Sequence, residues 1–217
     1  MKTTALLLAA GESERMGFPK ALLPWGGRPL LAHQLEALQR SRVDECIVVL
    51  GREAERLRSL VRPIPRWPGW KARAVINPRP ADGKASSVQA GLAALSRPPD
   101  AILIAAVDQP LETPLVDALL ETARKEWMMP RDGVWPARRI VVPTFDGKRG
   151  HPPLFHGSLL SELLGVSEAN EGLRRVVRRI PERVLEMPWQ RSGILLNLNT
   201  PVDLEGTRPG DSSFRPA

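Results

Sequence analysis

Between residues 3 and 125 the chain runs four times through the same pattern, a short apolar run followed by a segment of helical character. Thr3–Ala10, Glu45–Leu50, Ala72–Ile76 and Ala101–Val107 are the apolar runs, each short enough for a strand and closed by a glycine, asparagine or aspartate. Between and after them, Leu30–Gln39 places Leu31, Leu35 and Leu38 on one helical face. Ala54–Val61 mixes apolar and charged residues, Ser86–Leu95 spaces Val88, Leu92 and Leu95, and Thr113–Lys125 opens on Thr113-Pro114, read as cap and first turn. Strands that are apolar throughout and alternate with helices predict a parallel sheet covered on both faces. Ligands of such sheets sit at the carboxyl ends of the strands, near a topological switch point, so the loops after Ala10 and after Val107 are expected to open on one edge.

Past Lys125 the alternation falters. Residues 127–139 read as an excursion, expected to be mobile; a strand over Arg139–Phe145, a turn at Asp146-Gly147, a helix over Ala169–Arg179 and two closing strands, "RVLEMPW" and "SGILLNLN", follow. Residues 1–205 are expected to form one domain, and the polar tail 206–217 to be disordered. No apolar run is long enough to span a membrane and no leader pattern precedes the first strand, so a cytoplasmic protein without membrane contact is expected. A single cysteine, Cys46, excludes an internal disulfide and a multi-cysteine metal site, and its apolar setting reads as a buried, inert thiol. The net charge of +7 admits an anionic partner, but the arginine pairs are scattered without interleaved aromatics, which argues against nucleic acid.

The loop after the first strand raises the chemical question, because "LLLAAGESERMGFPKALLPW" sets Arg15 and Lys20 directly after Gly11. The P-loop pattern fails, since Gly11 and Gly17 are too far apart and Ala21 follows Lys20; the dinucleotide pattern G-x-G-x-x-G is absent too. What remains is a set of small residues that lets the backbone approach a ligand and offer N–H groups to phosphate, with a guanidinium fork and a compact ammonium beside it. Asp108, in "VDQP" at the end of the fourth strand, is placed to hold Mg²⁺ on the same edge, the alternative being a helix cap. Ser86 and Ser87 can cap the helix after Gly83 or donate to a ligand; Asn77 ends the third strand; His151 sits in a glycine- and arginine-bearing loop, while His33 and His156 read as structural.

The ordered set "LAAGESERMGFPKALLPWGGRPLL", with "NPRPADGKASSVQAGL", "AAVDQP", "RGHPPLF" and "NLNTPVDL", resembles the MobA-like nucleotidyltransferases over most of residues 1–205. The serine pair after Gly83 and "RGHP" at Arg149–Pro152 lie nearest the molybdenum-cofactor cytidylyltransferase branch. The resemblance implies a Rossmann-like three-layer α/β/α fold with a mostly parallel sheet, of the nucleotide-diphospho-sugar transferase type. It implies a nucleotide site at Leu8, Ala9, Ala10, Gly11, Arg15, Lys20, Asn77, Gly83, Ser86 and Ser87, and an acceptor site at Gln109, Arg149, Gly150 and His151. It implies Mg²⁺ on Asp108 and Asn199, although family members often carry aspartates where Asn197 and Asn199 stand, and an amide oxygen brings less charge to the ion.

These readings converge on one reaction. The acceptor's phosphate oxygen attacks the α-phosphate of an NTP, expected to be CTP, and pyrophosphate leaves. The acceptor oxygen is already ionised, so Arg15, Lys20 and Asp108 act by positioning and charge neutralisation. The implied acceptor is the molybdenum cofactor, with a molybdenum enzyme or its chaperone as a possible partner. Two rivals stand beside it: a sugar- or alditol-phosphate nucleotidyltransferase with the same loop, and a nucleotide-binding cofactor chaperone without turnover, to which the two asparagines lend support.

Overall fold

The computed structural model describes residues 1–11, 17–61, 70–128, 137–200 and 203. Arg15, residues 129–136 of the expected excursion and the tail 206–217 lie outside the described residues. In chain order the elements are β1 (Thr3–Ala9), β2 (Pro24–Trp25), β3 (Arg28–Pro29), α1 (Leu30–Arg40), β4 (Glu45–Leu50), α2 (Ala54–Leu57), β5 (Lys71–Ile76) and α3 (Lys84–Ala93). They continue with β6 (Ala101–Ala106), α4 (Thr113–Trp127), β7 (Ile140–Phe145), β8 (Lys148–Arg149), β9 (Leu154–His156), α5 (Leu160–Leu164), α6 (Leu173–Arg178) and β10 (Val184–Pro188).

Eight strands make one sheet in the order β10-β7-β9-β6-β1-β4-β5, with β8 paired to β7. The pairs β6–β1, β1–β4, β4–β5 and β7–β10 are parallel, and β9 runs antiparallel between β6 and β7. The continuous apolar runs are explained by two-sided burial. In β1, Ala5, Leu7 and Ala9 face one core, shared with Leu31, Leu35 and Leu38 of α1 and with α4. Leu6 and Leu8 face the other, shared with Val88 and Leu92 of α3 and with Leu163 of α5. Each of the buried leucines and valines contributes about 1.5–3 kcal/mol relative to exposure, which is what commits the run to a central strand. Cys46 is fully buried in β4, and burial pushes its thiol well above the usual range.

Several expected elements differ. The segment read as a helix over Ala54–Val61 is a short α2 followed by a 3₁₀ turn, Arg58–Leu60. The helix expected over Ala169–Arg179 is broken, because Glu171 and Gly172 both take positive φ (60° and 56°) between the 3₁₀ turn Glu168–Asn170 and α6. "SGILLNLN" is not a strand. It forms a 3₁₀ turn, Ser192–Leu195, and spends its backbone bonds on loops: His151 N donates to Ile194 O and Leu198 N to Asp108 O. Glu112, not Thr113, is the N-cap residue of α4, without a side-chain cap bond, and the Thr113 hydroxyl donates to Ala37 O.

Candidate functional site

The carboxyl ends of β1, β4 and β6 open into a cleft of about 570 Å³. Its lining includes Leu8, Ala9, Ala10 and Gly11 from the end of β1, Lys20 from the 3₁₀ turn Lys20–Leu22, Asp108 after β6, and Gly83 and Ser87 around the start of α3. These residues lie far apart in the chain; the common direction of the parallel strands gathers them on one edge.

In the cleft wall, Lys20 Nζ donates to Asp108 Oδ2 at 2.9 Å and to Asn199 Oδ1 at 2.8 Å. The Lys20 and Asp108 side chains are only 16% and 18% exposed, so the pair is screened less than a surface bridge. Asp108 is thus no helix cap: it follows β6 and meets the cation of the 3₁₀ turn Lys20–Leu22. The ammonium marks a position where a positive charge is held between a carboxylate and an amide oxygen. That donor pair fits Mg²⁺, which takes one or two protein oxygens and draws the rest from water and phosphate. Among the described residues no group of three or more His, Cys, Asp or Glu side chains is placed to hold a metal.

The surrounding groups keep this centre in place. Gln34, fully buried on α1, donates through Nε2 to the carbonyls of Ala106, Val107 and Gln109 and accepts from Leu111 N, so one side chain knits the whole loop that carries Asp108. Gln109 Nε2 donates to Asn197 Oδ1 at 2.7 Å, and Asp203 Oδ2 accepts from the backbone N–H of Asn199 and Thr200, which draws the Asp203 carboxyl below its usual range. The Arg191 guanidinium meets the half-buried Glu112 carboxylate, tying the final segment to the same loop.

The other expected site residues separate into two groups. Asn77, Ser86 and Ser87 form one network, with Asn77 Nδ2 donating to Ser86 Oγ at 2.8 Å and to Ser87 Oγ at 3.1 Å. Ser86 in turn donates to Arg79 O and Gly83 O, so Asn77 and Ser86 brace the Arg79–Gly83 turn from behind, while Ser87 reaches the cleft wall. Neither serine caps α3, whose N-cap is Gly83. Of the expected acceptor residues, Gln109 is committed to Asn197, Gly150 is buried against Ile194, and Arg149 donates from its exposed hairpin to Glu186 Oε1 at 2.8 Å. His151 lies just before β9, which pairs with β6, and burial, aided by the charge of Lys84, pushes its imidazole down to about 4. His33 bonds Leu111 O, and His156 caps the 3₁₀ turn Gly157–Leu159.

Sequence reasoning missed Gln34, Gly51, Arg52, Glu53 and Lys84. The last four line the cleft, and Gly51 comes so close to Ala10 that an added Cβ would lie 2.5 Å from the Ala10 carbonyl oxygen. Glycine directly after an apolar strand was the one visible signal for Gly51.

A cleft at the strand ends, small residues at the β1 terminus and a lysine–aspartate–asparagine cluster define an α/β protein of the nucleotide-handling class. The MobA-like NTP transferase domain matches residues 5–184, and the chain belongs to that family. A molybdenum cofactor guanylyltransferase of Pseudomonas fluorescens is 34% identical over 149 residues, 65% of this chain and 68% of that protein. The nicotine blue oxidoreductase of Paenarthrobacter nicotinovorans is 31% identical over 82% of each chain. The bifunctional protein GlmU of Rhizobium rhizogenes is 31% identical over 92% of this chain, which spans only 40% of that protein's length. Among solved structures, Rv0371c of Mycobacterium tuberculosis superposes with a TM-score of 0.75 at 23% identity, covering 95% of this chain and 97% of that one. A structure of the same protein with manganese gives a TM-score of 0.72 at 23% identity, covering 95% and 97%. Among the described residues no helix is long and apolar enough to cross a membrane.

Proposed function

We propose that the chain, with residues 1–205 acting as one domain in the cytoplasm, transfers a nucleotide from an NTP to a phosphorylated acceptor and releases pyrophosphate. The observation that carries this reading is the meeting of Lys20, Asp108 and Asn199 in the cleft that Leu8–Gly11 also line. An acceptor phosphate oxygen forms the new bond to the α-phosphorus, and the bond from that phosphorus to the β-bridging oxygen breaks. The electron pair leaves with pyrophosphate, and no proton need move. Backbone N–H groups near Gly11 and the Lys20 ammonium bind the triphosphate and stabilise the charge that builds on the leaving group, with Arg15 in the same role. Asp108 and Asn199 would hold Mg²⁺, which supplies charge neutralisation at the α-phosphate when bound. Gln34 and the Gln109–Asn197 pair keep those two oxygens at their stations.

For the acceptor we favour the molybdenum cofactor, on the family and on the guanylyltransferases among the relatives. For the donor, "GKASS" and "RGHP" support CTP, whereas the names of those relatives favour GTP. The test is pyrophosphate release with Mg²⁺, and with Mn²⁺ in parallel, for each of four NTPs against phosphorylated acceptors that include the molybdenum cofactor and sugar phosphates. CTP turnover above GTP supports the cytidylyl assignment; equal or better use of GTP removes it and leaves nucleotidyl transfer. NTP binding without turnover on any acceptor supports the chaperone reading instead.

A further inference from the structure

Helix α3 starts at the cleft without a capping side chain of its own. Its N-cap is Gly83, held at φ 84° and ψ −169°, and Lys84 and Ala85 supply the first two helical N–H groups. A serine or aspartate at the N-cap ordinarily accepts from the second or third of these donors. Here the acceptor comes from 83 positions further along the chain: Glu168 Oε1 takes the Ala85 N–H at 2.7 Å. The two arrangements exclude each other, because a Cβ on Gly83 would lie 2.5 Å from Glu168 Cγ and 2.8 Å from its Cδ and Oε1. The remote cap supplies what the glycine cannot, a carboxylate, whose negative charge also suits a helix N-terminus.

The carboxylate belongs to the 3₁₀ turn Glu168–Asn170, which follows α5 and precedes the left-handed pair Glu171 and Gly172. Gln89, one turn further along α3, holds the same segment, donating through Nε2 to Leu164 O at 3.2 Å and to Val166 O at 2.8 Å. Helix α3 and the segment after α5 are therefore fastened together at two levels. Ser86 Oγ also donates to Gly83 O, so the turn into α3 is pinned through a carbonyl from within and through an N–H from outside. What this turn carries is cleft wall, since Gly83, Lys84 and Ser87 all line the cleft. We propose that Glu168 is a positioning residue for the nucleotide: as a remote cap it sets the Gly83–Ser87 wall against which the NTP is seated. The assignment rests on the nucleotidyl-transfer reading. Lys20, Asp108 and Asn199 hang on other elements, so losing the clasp should weaken nucleotide binding and spare the chemical step.

The test titrates each of four NTPs into the full chain by calorimetry and measures kcat and KM for pyrophosphate release. Glu168→Ala should raise the Kd and KM of the best-bound NTP about threefold to tenfold, the scale of a lost cap, and leave kcat within about twofold. Glu168→Gln keeps an amide oxygen of the same reach and should recover most of that affinity. Should Glu168→Ala fail to fold, Glu168→Asp, one methylene short of the Ala85 N–H, should weaken NTP binding in the same direction. Unchanged NTP affinity in a variant that melts early makes Glu168 a structural cap only and overturns the proposal. A loss confined to kcat, or an equal loss of affinity in Glu168→Ala and Glu168→Gln, overturns it as well. A wild type that binds NTP but turns over no acceptor removes the transfer reading, and the affinity comparison then decides Glu168 alone. A wild type that binds none of the four overturns both.

Discussion

Lys20 joins the two oxygens of the proposed metal site through hydrogen bonds to Asp108 and to Asn199. Lys20→Ala is expected to lower kcat/KM by about 10²-fold or more, the scale of a preorganised charge contact, in a protein that still folds. Wild-type kinetics in the folded variant would reduce Lys20 to a structural cation. Asp108→Asn removes one charge at almost constant volume. A lone carboxylate in this place would repel its neighbours, and its loss would stabilise the protein without metal. The ion pair with Lys20 reverses that sign: the variant is expected to lose about 1–2 kcal/mol in EDTA, because a partly buried ammonium loses its counter-charge. Turnover should fall by about 10²-fold or more, with a shifted Mg²⁺ dependence. Melts in EDTA and rates across a Mg²⁺ titration check both, and normal turnover would take Asp108 out of the metal role.

Between elements, the decisive contacts are a side chain from α1 and the bare backbone of Gly51 just after β4. Gln34→Leu keeps the volume of the α1 residue but strips the Asp108 loop of its donor to three carbonyls and its acceptor for Leu111 N. Buried groups left unpaired cost about 1–3 kcal/mol each when water cannot reach them, so the melting temperature should drop by several degrees and turnover with it. An unchanged melt would mean that water replaces the amide. Gly51→Ala is expected to cost about 1–3 kcal/mol, since its Cβ can be accommodated only by parting the ends of β4 and β1. NTP affinity should fall with it, because the displaced atom is the carbonyl of Ala10, which lines the cleft; titration calorimetry beside a melt checks the coupling.

For the molecule as a whole, the three histidines act in one direction. His33, His151 and His156 are each pushed below the ordinary value of 6.5, mainly by burial, His151 to about 4. The unfolded chain therefore binds protons first as pH falls. Stability is complete above about pH 6.5 and declines from there toward pH 4, before most carboxylates titrate. For His151 alone the displacement of 6.5 to about 4 corresponds to about 3 kcal/mol at full protonation. Melting temperature measured from pH 7.5 to 4.5 should fall on the acid side, and His151→Gln should flatten that limb. A pH-independent melt across this window would contradict it.

The strands β1, β4, β5 and β6 were legible to within a residue; in β1, β4 and β6 burial on both faces writes a continuous apolar run into the chain, whereas β5 is a half-buried edge strand marked by its closing asparagine. That Gly11, Lys20 and Asp108 meet at one edge was legible as well, since a parallel sheet sends every strand end to one edge and the residues after those ends share it. The final third was not. "SGILLNLN" has the composition of a strand, yet its partners are loops that only the folded chain brings near, and Glu171–Gly172 breaks a helix that its apolar spacing favours. Gln109, Gly150 and Arg149 stand in the right motifs in sequence, but Gln109 and Arg149 are bonded by Asn197 and Glu186 and Gly150 is packed against Ile194, residues 37 to 88 positions away. Periodicity and strand ends are local properties that the sequence determines by itself. Which polar group faces the ligand and which is consumed by a distant partner depends on contacts between segments, and only the tertiary structure decides that.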